Sequence, residues 1–82
     1  MASHNGWKNR QTWNVALWIG NDEGLYRAAV DYAKRYRGRA TYRGFITAEG
    51  LNDDRTPDNI AWAGARLDYR ALTSMIRELV ED

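Results

Sequence analysis

The chain has 82 residues, 12 Lys plus Arg against 11 Asp plus Glu, one Pro, one His and no Cys. A domain this short buries only about 60–65% of the surface its unfolded chain exposes, so its core must draw on large side chains, and four Trp, five Tyr and one Phe supply them. Without Cys there is no disulfide framework, no thiolate metal site and no Cys nucleophile.

Met1 to Lys8 is polar and broken by Gly6, and it reads as a flexible leader ahead of a single globular domain, 9–82, with Trp7 the first residue expected to pack. Neither a signal-like apolar run near the start nor a membrane-length apolar stretch occurs, so a cytoplasmic chain is expected. From Asn9 the pattern is two-sided: Trp13, Val15, Leu17 and Ile19 alternate as in a strand, while Trp13, Ala16, Leu17 and Gly20 share a helical face. A helix fits better, because Asn9 can cap it and Gly20 with Asn21 can end it. That reading puts Trp13 and Leu17 at the centre of the core, with Val15 and Ile19 forming a second apolar side roughly opposite Leu17, so the helix is expected to be covered on more than one face. Asn21, Asp22 and Glu23 then open a second helix, 22–37, with Leu25, Ala28, Ala29, Tyr32, Ala33 and Tyr36 at helical spacing. Asp31 can pair with Arg27 or Arg35 on its outer side, and Gly38 stops it.

A third, short helix from Thr41 collects Tyr42, Phe45 and Ile46 on one side, with Gly44 counting against it. Asn52 to Asn59 is turn chemistry, and Ile60 with Trp62 forms a brief extended stretch around 58–64. Asp68 caps the last helix between the staple residues Leu67 and Leu72, and Leu72, Ile76, Leu79 and Val80 run down one stripe. The expected fold is therefore mainly α, three or four helices around one core.

The chemistry available is that of a binding protein. His4, the single His, sits in the leader, and Asp53 with Asp54 adjoin in a turn, where neighbours point apart. Asn52, Asp53, Asp54 and Asp58 lack the alternating ligands and closing Glu of a calcium loop. No phosphate-cradling or nucleophile-elbow motif is present. No catalytic residue, metal or cofactor is therefore assigned.

Two surfaces stand out. Residues 1–48 carry eight basic and three acidic side chains, a balance of +5, and 49–82 carry four basic and eight acidic, a balance of −4. Within the first half Lys34, Arg35, Arg37, Arg39 and Arg43 are interleaved with Tyr36 and Tyr42. Arg pairs bidentately with phosphate and Tyr stacks on unpaired bases, so this cluster fits nucleic acid. It equally fits a helix C-terminus whose dipole favours cations. Arg10, Gln11, Asn14 and Trp18 fall on adjoining rows of the first helix and fit a protein partner. The alternative is that Trp18 is core and that Asn14 holds the helix to a loop by a buried hydrogen bond.

Asn5-Gly6-Trp7, the run from Asn9-Arg10-Gln11-Thr12-Trp13-Asn14 through Asn21-Asp22-Glu23-Gly24-Leu25-Tyr26, and later Thr56-Pro57-Asp58, Trp62 and Leu67-Asp68 resemble a family of small uncharacterised proteins. These are encoded by tailed phages and by the bacteria and archaea that host them. The resemblance lends no catalytic residue. It implies an accessory protein of a phage or mobile element that binds, and inhibits or regulates, a host macromolecule such as restriction or CRISPR machinery. The expected partner is thus a host or phage protein, with nucleic acid as the alternative, and the chain is expected to be a monomer or small homo-oligomer.

Overall fold

A computed structural model describes residues 4–81, and its elements are α1 (Arg10–Asn21), α2 (Glu23–Tyr36), a 3-10 turn (Arg37–Arg39), α3 (Tyr42–Ala48) and α4 (Tyr69–Glu78). Each α-helix begins on a side-chain oxygen that accepts one of the otherwise unpaired N–H groups of its first turn: Asn9 for α1, Asp22 for α2, Thr41 for α3 and Asp68 for α4. Asp22 serves both helices that flank it. Its N–H closes α1 on the Trp18 carbonyl while its carboxylate accepts the Leu25 N–H, so the chain turns from α1 to α2 within one extended residue.

The buried core takes Val15, Ala16 and Ile19 from α1, Ala29 and Ala33 from α2, Tyr42, Phe45 and Ile46 from α3, and Leu72 and Ile76 from α4, closed by Ala40, Trp62 and Leu67. Ala29 and Ala33 give α2 a buried face of small side chains. Burial pushes the Tyr42 phenol well above its ordinary value, so it stays neutral and donates to the Trp62 carbonyl. Gly44 is needed in α3 because a Cβ there would overlap the Tyr32 hydroxyl, and Tyr32 in turn packs edge-on against Phe45 at 5.9 Å. Its helix penalty of about 1 kcal/mol is offset by that close approach.

Three details differ from the sequence reading. Trp13 and Leu17 are half-exposed and are not part of the core; α1 buries Thr12, Val15, Ala16 and Ile19 instead. The reason is polar: Thr12 donates to Asn9 Oδ1 at 2.7 Å and accepts the Asp68 N–H at 3.0 Å, so the start of α1 is tied by its Thr row to the start of α4. Arg27 pairs with Glu23 at 2.7 Å rather than with Asp31, in the favoured order of acid before base on a helix. Residues 4–8 do not trail freely. His4 and Trp7 exchange two backbone hydrogen bonds, the His4 ring lies 4.5 Å from that of Trp13, and Trp7 packs against the core.

Between α3 and α4 the chain makes a compact loop. Gly50 takes a positive φ of 71°, Thr56 donates its N–H to the Ile60 carbonyl, and one isolated antiparallel bridge joins Arg55 to Ala61. The extended stretch expected around 58–64 is reduced to that bridge. Among the described residues no helix is long and apolar enough to cross a membrane.

Candidate functional site

The row Arg10, Gln11, Asn14 and Trp18 divides between surface and interior. Asn14 is buried: its amide N–H donates to Asp58 Oδ2 at 2.7 Å and its carbonyl oxygen accepts the Thr56 hydroxyl at 2.7 Å. The half-buried Trp18 donates its indole N–H to the same carboxylate oxygen at 2.9 Å. The Asn14 amide, then the Trp18 indole, and more weakly the nearby Arg10 charge hold the Asp58 carboxyl below its ordinary value. Thr56 also accepts the Asp58 and Ile60 N–H groups, so the loop is built around its hydroxyl. Asn14 is therefore not a surface contact residue, and the indole N–H of Trp18 is not available to a partner. An amide inside a small core must be paired, and its partners lie 42 and 44 residues away. Arg10 is exposed, and Gln11 lines a small cleft with Arg55, Asn59, Ile60 and Leu67.

The basic cluster is exposed throughout, and the fold separates its members. Lys34 lies about 160° around α2 from Tyr36 and so faces away from it. Arg35 lines a groove that also holds Asp31 and Glu49, which dilutes its charge. Arg39 and Arg43 line an open groove of about 530 Å³ with Tyr32, Tyr36, Gly44 and Thr47. Arg43 also lies over the Tyr69 ring, 4.2 Å from its centroid, and faces a second groove of about 360 Å³ shared with Arg70, Arg77, Thr41, Thr73 and Ser74. Arg37 sits at the start of the turn that follows α2 with φ 50° and ψ −123°, a conformation suited to Gly and strained for Arg.

Arg43 therefore links two grooves into one face. Thr73 accepts the Tyr42 N–H at 3.0 Å, and Arg77 donates Nε–H to the Ala40 carbonyl at 2.7 Å, so α3 and α4 are locked together beneath that face. Among the described residues the single ion pair is Arg27 with Glu23, which leaves Arg39, Arg43, Arg70 and Arg77 without a carboxylate partner. Arg70 and Arg77 are functional candidates that the basic cluster in the sequence does not include. Their signal was present: Arg70, Thr73, Ser74 and Arg77 follow helical spacing on the side of α4 away from Leu72 and Ile76.

No curated protein and no solved structure matches the chain. The sequence does match a described family over its whole length. On that match, over residues 1–82, the chain belongs to the family of unknown function DUF7249.

Proposed function

We propose that this protein is a small binding module for nucleic acid, acting through the face formed by Arg39, Arg43, Arg70 and Arg77 with Tyr36. The observation that carries the reading is the convergence of these guanidinium groups, drawn from the turn before α3, α3 itself and two turns of α4, on adjoining grooves whose linings hold no carboxylate; Arg70 alone also borders a neighbouring groove that holds Asp68 and Glu78. Guanidinium groups and hydroxyls are the side chains that proteins most often aim at phosphate oxygens. The near-neutral net charge of +1 is no obstacle, because the local field over the two grooves is set by the side chains that line them, and the charged ones are all arginines.

The reading on a host or phage protein partner has less support, since Asn14 and Trp18 are engaged in the internal network and leave Arg10 and an edge of Gln11 at the surface. Inhibition of a host process stays compatible with the arginine face, which would then act by occupying nucleic acid. The test is fluorescence anisotropy with a labelled oligonucleotide at low salt, comparing the parent with a variant carrying Arg43→Ala, Arg70→Ala and Arg77→Ala. Binding by the parent and its loss in the folded variant are expected. Equal binding by both, or none by the parent, overturns the proposal.

A further inference from the structure

We infer that the ligand is a single strand, with its phosphates along Arg43, Arg70 and Arg77 and an unpaired base stacked on Tyr36; this rests on the nucleic-acid reading above. Tyr36 is 41% exposed, one of two large hydrophobic side chains so exposed among the described residues. It is not loose. Its ring lies 4.7 Å from that of the half-buried Tyr32, which sits 5.9 Å from the fully buried Phe45, so an aromatic column runs from the core to the surface and ends on Tyr36. An anchored ring with a free face is what base stacking requires, and it discriminates little between bases because every base offers a π-face.

The two grooves divide the work by chemistry. The one bounded by Arg70, Arg77, Thr41, Thr73 and Ser74 offers cations and hydroxyls, while the one bounded by Tyr32, Tyr36 and Gly44 offers aromatic surface, and Arg43 borders both. Tyr69 is not a second platform, since the Arg43 guanidinium already covers it. A duplex keeps its bases stacked inside and cannot reach Tyr36 with one, whereas a strand whose backbone lies on the arginines can turn a base onto it. Gly44 matters here also. By admitting the Tyr32 hydroxyl against α3, it brings the aromatic column beside Arg43.

The experiment measures anisotropy for four labelled ligands of roughly ten nucleotides: oligothymidylate, oligouridylate, an abasic strand carrying the same phosphates, and a duplex. The proposal expects oligothymidylate or oligouridylate to bind about tenfold more tightly than the abasic strand and the duplex. Tyr36→Ala should remove that advantage while leaving abasic binding unchanged, and Tyr36→Phe should retain it. If all four ligands bind alike and Tyr36→Ala changes nothing, the single-strand inference falls while the nucleic-acid reading stands. If none binds, both fall. The comparison of abasic with base-bearing strands needs no variant, so it decides the matter even if Tyr36→Ala fails to fold.

Discussion

Asp58 is exposed, yet its carboxylate is the point where α1 holds the loop. Hydrogen bonds from Asn14 and Trp18 keep its folded-state carboxyl below the ordinary value of 3.8. The sign follows from linkage: a depressed folded value stabilises the protein above the unfolded value, and that stabilisation is lost as pH falls through the folded one. The melting temperature of the parent should therefore drop more steeply on acidification from about pH 5 to about pH 2 than that of Asp58→Asn, so that the two curves converge; parallel curves would contradict the network. Arg37 offers a second test. Its strained backbone, with φ 50°, predicts that Arg37→Gly raises stability by about 1 kcal/mol in chemical denaturation while leaving oligonucleotide binding unchanged, since Arg37 lines neither groove. A loss of stability would show that the turn is not strained. Asn14 marks the limit of what these residues reveal in sequence order: an amide on an apolar helix reads equally as contact or as strut, and Thr56 and Asp58 decide it from more than 40 residues away.

The helices themselves were largely legible, because each begins on a local chemical signal. Asn9, Asp22, Thr41 and Asp68 all bond to the N–H three residues ahead, a relation contained within one turn of sequence. Which face of α1 turns inward was not legible. Helical spacing allowed Trp13 with Leu17 or Val15 with Ile19, and the choice was made by Thr12 reaching the start of α4, a contact 56 residues distant. The two faces carry different expectations for stability. Ile19→Ala opens a cavity at a site 1% exposed and should cost about 3 kcal/mol. Trp13→Ala, at a half-exposed position outside the core, should cost about 1 kcal/mol, despite removing far more volume. Urea denaturation of the two variants side by side checks this, and the reverse order would return Trp13 to the core.

Helix α1 and the arginine face have separate duties. Asn9, Thr12, Asn14 and Trp18 hold α1 against the loop and the start of α4, and of these Asn14 and Trp18 were attractive as contact residues until their partners were known. The face made by Arg39, Arg43, Arg70 and Arg77 lies on the other helices and was only half visible in sequence. Arg39 of the turn and Arg43 of α3 stood out as part of a run of charge, whereas Arg70 and Arg77 were diluted by neighbours of other kinds and joined the face only when α4 packed beside α3. The division implies that the face can be altered without unfolding the molecule. The triple variant Arg43→Ala, Arg70→Ala and Arg77→Ala should keep its helical circular dichroism, with a modest loss of stability from the Arg77 bond to the Ala40 carbonyl.

The most direct measurement is the salt dependence of oligonucleotide binding by the parent and by that variant. Three phosphate contacts on a single strand give a slope of about −2 in log K against log salt, and removing the three guanidinium groups should flatten the line toward zero. A parent whose affinity is indifferent to salt, or a variant with an unchanged slope, would show that the arginine face does not bind phosphate.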